Sequence, residues 1–478
     1  MKAVKFKHTQ QFTDDQNNAI NHFLNSYFQY NRTGDNCWCY SLSGYAGTGK
    51  TYIIAELLQQ LYKHNVIVPV ALTAPTNKAV GVLCDRIQSL VPNHVMDLLS
   101  VNFGTIHSFL KLEPDKKPDG TLEFKVKESD PNKIPIRSYR LVIVDECSMI
   151  GTELKNLIDA TIRCSTVIVY VGDIAQLPPV EKDTISDTFS CKYGYQLSQT
   201  VRQKSDNQII KMTMDIREKY HGNIRTTLQD ILIHEGADIQ FVPASVVVDA
   251  VVKDVQEKRI DSRILCYTNR AVTEYNRLIH ERVYGTDSDI FMVGERAIVH
   301  APYRLFNTKT QNDIISGTGE LLINSEECII CDSIDDEAHI HGHIIPIKHL
   351  RLRRDMDPHS IVDAIVPIDT EYVDGLIKEH FAQWRKNKQL SIKAQTTREQ
   401  RLYRDAAKKH SDAAWDMKER FLQLRHSYAM TVHKSQGSTF DRVYVDWNDI
   451  NYIRDIDMFN QCLYVASTRP SKDLVILT

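Results

Sequence analysis

The eight residues Gly44–Thr51, GYAGTGKT, constrain this chain more than any other stretch. Gly44, Gly49, Lys50 and Thr51 occupy the fixed positions of the pattern G-x-x-x-x-G-K-[ST], and Gly47 is a third glycine inside the turn. Glycine admits positive φ and close approach, so the backbone from Gly44 through Ala46, Gly47, Thr48 and Gly49 can converge N–H groups on phosphate oxygens. A helical pattern from Thr51 to Tyr62 follows, and its positive dipole end would face the same anion. Lys50 would reach the β- and γ-phosphates of a nucleotide, while the Thr51 hydroxyl would ligate Mg²⁺. An apolar run, Trp38 to Leu42, precedes the turn. This strand–turn–helix context separates the motif from a glycine-rich turn with a chance Lys-Thr.

A chain of 478 residues has room for roughly three domains. Its 42% apolar and 25% charged residues are ordinary for a soluble globular protein. No apolar run is long enough to span a bilayer, and the start, MKAVKFKHTQ, lacks the apolar core of a secretory signal. The expectation is a cytoplasmic protein with no membrane partner. A net charge of −3 excludes a globally basic coat, so any polyanion has to bind in a local groove. The ten cysteines are scattered. Cys37/Cys39 and Cys328/Cys331 lie in strand-like runs without a second ligand pair at zinc-site spacing, so they read as reduced core thiols.

Apolar, β-branched runs stand at Val66–Ala71, Leu141–Val144 and Thr166–Val171, with helical or turn sequence between them. This alternation predicts a parallel sheet covered by helices, its functional loops at the strands' carboxyl ends. A second series begins at Arg263–Thr268, continues with a helical stretch from Ala271 to Tyr284, and stops. It resumes with Arg442–Asp446, a helix around Phe459–Ser467 and a last strand Asp473–Leu477. The division is therefore an α/β domain over 1–197, a second over 198–290 and 425–478, and an inserted domain over 291–424. Within the insertion, alternating runs from Gly294 to Leu350 predict a small β-barrel or meander. From about Thr370 to Leu424 the sequence favours helix, and Arg385 to Arg425 holds twelve Lys/Arg against five Asp/Glu. Such a stretch is either a solvated helix face or a contact for phosphate backbone, and the sequence leaves both open.

LVIVDECSM, Leu141 to Met149, is an apolar strand ending in paired carboxylates. Beside a phosphate cradle, Asp145 would ligate Mg²⁺ and Glu146 would activate the attacking water. In YVGDIAQLPPV, Gln176 stands where an amide could sense the γ-phosphate or its water. In FTDDQ, the amide of Gln16 could pair with both edges of adenine. Arg202 and Arg469 would act as arginine fingers if both reach the γ-phosphate; taken singly, each reads as an ordinary ion-paired arginine.

The segment Lys111 to Lys133 has six lysines and six acids and cannot bury a core of its own. Pro118-Asp119-Gly120 is a turn signal, and Leu122, Phe124 and Val126 then alternate with polar residues, as one arm of a β-hairpin does. A surface loop fits the same residues.

FTDDQ, GYAGTGKT, APTNKAV, GTIHSFL, VDECSM, GDIAQLPPV, LSQTVRQ, TVHKSQGSTFD and LYVASTR follow one another along nearly the whole chain. In order and spacing the series resembles superfamily-one DNA helicases of the 5′-to-3′, RecD-like branch, the Dda-type phage enzymes in particular. The resemblance implies two RecA-like parallel-sheet domains, a hairpin insertion at about 111–133 in the first, and an SH3-like β-barrel followed by basic helices in the second. It implies ATP and Mg²⁺ between the two domains, with Gln16, Lys50, Thr51, Asp145, Glu146, Gln176, Arg202, Gly437 and Arg469 handling base, phosphates, metal and water. It places Thr76, His107, Asn269, His433 and Ser435 along single-stranded DNA, and makes the hairpin a pin that meets the duplex fork, where Phe124 could stack on the last base pair. The partners it implies are single-stranded DNA, the fork, and a single-strand-binding protein or replisome components, in replication, recombination or repair, for a chain acting as a monomer in a bacterial or phage-infected cytoplasm. Pro470 after Arg469 departs from the pattern and predicts an early end to the last helix. A nucleic-acid-stimulated translocase or an RNA helicase remains the alternative; the intact Lys50, Asp145 and Glu146 argue against a non-catalytic binding module.

Overall fold

The structure is a computed structural model and describes residues 12–33, 38–126, 128, 130–179, 186–199, 207–257, 261–306, 317–355 and 359–478. Its chain divides into two compact units, one of residues 1–112, 126–275 and 428–478, the other of residues 113–125 and 276–427.

The first unit holds two parallel sheets. In the first sheet the strand order is Asn102–Thr105, Val70–Ala74, Leu141–Val144, Val167–Gly172, Trp38–Gly44, Tyr193–Leu197. All neighbours run parallel, with Val70 opposite Leu141, Leu141 opposite Val167 and Trp38 opposite Val167. The central strands read LVIV and VIVYVG and are buried throughout, the pattern of strands covered on both faces. The helix Lys50–Lys63 packs Ile53, Ile54, Leu57, Leu58 and Leu61 into the same core as Leu72, Ile143 and Val169. These positions recur at helical spacing, and each fully buried Leu or Ile contributes about 1.5–3 kcal/mol.

The second sheet repeats the plan in the order Ala429–Thr431, Ser262–Cys266, Phe440–Asp446, Pro470–Leu477, Ile239–Val242, again parallel. This is the α/β architecture of a pair of phosphate-loop domains. One expected strand shifts: Val66–Ala71 becomes Val70–Ala74. Pro69 lacks an N–H for a ladder, and its carbonyl instead accepts from the N–H groups of Arg140 and Leu141.

The second unit is antiparallel. Its five-stranded sheet has the order Ile361–Pro367, His343–Arg354, Glu327–Ile340, Arg296–Val299, Leu424–His426, and Tyr303–Phe306 pairs with Gly317–Leu322 beside it. The helices Thr370–Lys393 and Thr397–Arg420 pack on each other; a capping box between Thr396 and Glu399 starts the second. The nine cysteines among the described residues are all unbridged thiols. No helix of the described residues is long and apolar enough to cross a membrane.

Candidate functional site

The strand Trp38–Gly44 delivers the glycine turn to the carboxyl edge of the first sheet, and the helix Lys50–Lys63 begins at its lysine. Gly47 and Gly49 have φ of 80° and 84°, so both depend on lacking a Cβ. A Cβ on Gly44 would stand 2.8 Å from Thr48 Oγ1 and 2.9 Å from Leu197 Cβ. Lys50 Nζ donates to the carbonyls of Gly44 (2.8 Å) and Tyr45 (3.2 Å), and the Thr48 hydroxyl donates to Tyr45 O (2.8 Å). Gln16 is tied to the turn: its Nε2 donates to Thr48 O (2.9 Å) and its Oε1 accepts from the Thr13 N–H (3.1 Å).

Two strands away, the Asp145 N–H donates to Thr73 O (2.8 Å), and Glu146 follows at φ 51°. Burial pushes the Asp145 carboxyl up to about 7, with the Glu146 charge adding and Lys50 opposing. Glu146 Oε2 and Gln176 Oε1 are buried without a hydrogen-bond partner among the described residues. Two unsatisfied acceptors and two adjacent acids beside a lysine and a threonine hydroxyl suit a divalent cation, a water and a polyphosphate. The residues present therefore fit Mg²⁺ and a nucleoside triphosphate.

The second sheet closes on this edge through side chains that the sequence reading passed over. Tyr464 donates its hydroxyl to Asp173 Oδ2 (2.9 Å) and accepts from the Ala46 N–H (3.1 Å) of the glycine turn. Burial raises the Asp173 carboxyl, against the nearby Lys50 charge and the Tyr464 hydrogen bond. Gln461 Nε2 donates to Gln176 O (2.9 Å), and the Arg217 guanidinium lies 3.5 Å from the centre of the Tyr45 ring. Tyr45, Ala46, Arg217 and Tyr464 border a cavity of about 350 Å³ that Asn207 and Thr468 also line. A tyrosine inside the apolar run CLYVA was the available signal, because a buried tyrosine hydroxyl needs a partner. Gly437, at φ 74°, faces Ala79, whose Cβ lies 3.7 Å from where its own would be.

Arg469 is buried and donates to Val465 O (3.1 Å), Ser438 O (3.3 Å) and Thr468 Oγ1 (2.9 Å). All are partners in its own domain, so reaching a phosphate means leaving them. The helix before it ends at Ser467, and Pro470 opens the next strand. Arg202 lies outside the described residues.

Two family matches follow the two sheets: residues 11–238 match the AAA domain family, and residues 426–477 the UvrD-like helicase C-terminal domain family. The ATP-dependent DNA helicase dda of Enterobacteria phage T4 is 26% identical over 453 residues, covering 91% of this chain and 93% of the relative. The chain belongs to the superfamily-one helicases, in their RecD- and Dda-like group. The RecBCD enzyme subunit RecD of Mycolicibacterium smegmatis is 30% identical over 156 residues, 30% of this chain and 26% of that subunit. Among solved structures, a Bacteroides Pif1 helicase in complex with ADP-AlF3 and ssDNA aligns at 16% identity and TM-score 0.48, covering 98% of this chain and 92% of that one.

In this helicase the residues expected along DNA follow the two neighbouring strands at one edge of each parallel sheet. Thr76 follows Val70–Ala74 and His107 follows Asn102–Thr105; Asn269 follows Ser262–Cys266 and His433 follows Ala429–Thr431. Thr76 caps the helix Asn77–Leu90 by accepting from the Ala79 N–H (3.2 Å). Asn269 opens a helix on a groove that also holds Arg270 and Tyr452. Burial lowers the pKa of His433. Ser435 is fully buried and donates to Val432 O (2.8 Å), which gives it a role in shaping the turn.

Phe124 lies on the second arm of a two-stranded hairpin, Leu112–Lys116 with Leu122–Val126, and is 52% exposed. The hairpin's turn is anchored on the helical pair of the same unit. Trp415 Nε1 donates to Lys117 O (3.0 Å), Ser411 to Pro118 O (3.4 Å), and Lys116 pairs with Glu419. Gly120, at φ 93°, packs so close that a Cβ would lie 3.1 Å from the Phe381 ring.

Proposed function

We propose that this helicase hydrolyses ATP to move 5′-to-3′ along single-stranded DNA and to separate duplex ahead of it. The observation that carries the reading is the joint at the glycine turn, where Tyr464 and Gln461, on the helix Ile456–Ser467 beside the second sheet, bond to Ala46, Asp173 and Gln176 beside the first. A nucleotide in that place touches both domains, so its binding and loss bias how they close. Lys50 offsets the β/γ-phosphate charge and Glu146 accepts the proton of the attacking water. Thr51 and Asp145 would hold Mg²⁺, which when bound neutralises charge developing on the phosphates. Gln176 positions the water, Gln16 leaves Thr48 to read adenine, and Arg469 turns from its carbonyls toward the γ-phosphate, with Arg202 as its counterpart.

The T4 relative is named an ATP-dependent DNA helicase, which supports the same activity here. The domain limits follow from the same reading: a motor of 1–197 with 198–290 and 425–478, carrying an inserted domain at 291–424. Thr76, His107, Asn269 and His433 line the DNA track, Ser435 supports it, and Phe124 separates the strands. The deciding experiment is strand displacement on duplexes carrying either a 5′ or a 3′ single-stranded tail. Unwinding of the 5′-tailed substrate alone is the expected result. Unwinding from the 3′ tail overturns the polarity, and DNA-stimulated hydrolysis with no displacement on either substrate leaves a translocase.

A further inference from the structure

Three side chains of the second unit, His280, Glu295 and His426, converge with donor atoms that all lie within 4.8 Å of one another. One carboxylate oxygen, Glu295 Oε1, meets both imidazole Nδ1 atoms, at 3.0 Å from His280 and 2.7 Å from His426. Glu295 is 1% and His280 6% exposed. Around them sits a second set of contacts. His280 Nε2 donates to the carbonyl of Asp289 (2.9 Å) and lies 3.1 Å from the Ser288 hydroxyl, while Glu295 Oε2 accepts from the Met292 N–H (3.0 Å). A ring nitrogen fixed on a backbone carbonyl and a carboxylate fixed on a backbone N–H are the supports that orient metal ligands.

We propose that His280, Glu295 and His426 form a binding site for a zinc-class divalent cation, ligated by two imidazole nitrogens and one carboxylate oxygen. Two nitrogens with one carboxylate suit Zn²⁺ and its transition-metal neighbours, whereas Mg²⁺ and Ca²⁺ take oxygen ligands. Bonds of about 2.0–2.1 Å at tetrahedral angles place donors roughly 3.3 Å apart. The observed 3.0 and 2.7 Å are a little shorter, so the ligands have to part slightly. The two imidazoles are stacked, with centroids 4.4 Å apart and planes 28° from parallel, so loading also rotates the rings. The ion replaces the protons now shared between the Nδ1 atoms and Glu295. The His426 side chain is 20% exposed, which gives an entry path and room for a water as fourth ligand. The ligands come from the helix Asn269–Tyr284, the loop before the strand Arg296–Val299, and the strand Leu424–His426. The longer of that unit's two segments runs from Asn276 to Ser427, so the ion clasps the start of that segment to its end.

The full-length chain, freed of metal by a chelator, is titrated with ZnCl₂ against a chromophoric competitor and, separately, with CoCl₂ while its visible absorption is recorded. One tight equivalent of Zn²⁺, unmoved by excess MgCl₂, and the intense bands of four-coordinate Co²⁺ are expected. His426→Gln and Glu295→Gln should each weaken Zn²⁺ binding by about 10²-fold or more. His410→Gln serves as control, since His410 belongs to a separate histidine pair with His380 (3.0 Å) and its loss should leave the tight site intact. Absence of stoichiometric Zn²⁺ binding in the wild-type chain, or a tight site that persists in both folded variants, overturns the proposal. If the variants do not fold, the wild-type Co²⁺ spectrum decides, and weak six-coordinate bands alone reject the site.

Discussion

Glu146 sits in the left-handed region at φ 51°, where a residue with a Cβ costs about 1–2 kcal/mol. The preceding N–H, that of Asp145, is pinned on Thr73, so the chain turns at once and keeps two consecutive carboxylates at one strand end. Strain at such a position is consistent with two separate jobs for the pair. Glu146→Gln should retain Mg²⁺–ATP binding while the hydrolysis rate falls by about 10²–10⁴-fold, because the amide cannot take up a proton. Asp145→Ala should instead raise the Mg²⁺ concentration needed for half-maximal turnover. Metal titrations of both variants, followed through nucleotide binding and phosphate release, check this; matching behaviour would contradict the division of labour. Lys50 is held by two carbonyls of its own turn, and in the proposed mechanism an incoming phosphate would replace them with a full negative charge. Lys50→Ala should therefore lower turnover by about 10²-fold or more, with an unchanged circular dichroism spectrum.

At the scale of elements, the hairpin carrying Phe124 is braced at its turn by Trp415, Ser411 and Phe381, and its arm leaves the phenyl ring half in solvent. An aromatic face held this way can stack on a base. Phe124→Ala should leave DNA-stimulated ATP hydrolysis near wild type while duplex separation drops sharply. The two rates measured side by side test this, and a parallel fall in both would place Phe124 in the motor. Arg398, Arg401 and Arg404 are exposed on the second helix of the bracing pair. If they contact phosphates, neutralising all three should reduce the log–log salt slope of single-stranded DNA binding by about 2, from roughly 0.7 per contact. An unchanged slope makes that helix a solvated face. The hairpin arm was legible because Leu122, Phe124 and Val126 alternate after a Pro-Asp-Gly turn. Its anchorage was not, because Trp415 lies nearly three hundred residues along the chain from Lys117 and no local pattern joins them. Short strands such as Asn102–Thr105 and Tyr193–Leu197 likewise escaped notice, being polar or glycine-containing and fixed by neighbours distant in sequence.

Across the whole molecule, sheet order sorts the chemistry. The residues proposed to face phosphate follow inner strands of the first sheet, Trp38–Gly44, Leu141–Val144 and Val167–Gly172, whereas the expected DNA-facing residues follow the pair of strands at one edge of each sheet. The glycine turn, Asp145 and Glu146 could be read from sequence because each is complete within a few residues. Tyr464 and Gln461 could not, because what they do depends on a domain folded from the other end of the chain. The affinity of the whole chain for single-stranded DNA should fall with added salt despite a net charge of −3, since the proposed track is a local cationic groove. Insensitivity to salt in a filter-binding titration would exclude a cationic track.

The joint between the two parallel sheets also bears on how such a sequence can drift. Gln461 bonds to the carbonyl of Gln176, Gln436 to that of Leu177, and Tyr464 accepts from the N–H of Ala46. In each case a side chain of the second sheet's domain grips main chain of the first. Main-chain groups are the same whatever residue carries them, so a change of side chain at Leu177, which has no part in the proposed chemistry, leaves its grip intact. The gripping side chains have no such latitude. Lineages descended from a common motor should therefore diverge more at Leu177 than at Gln436, the side chain that holds it.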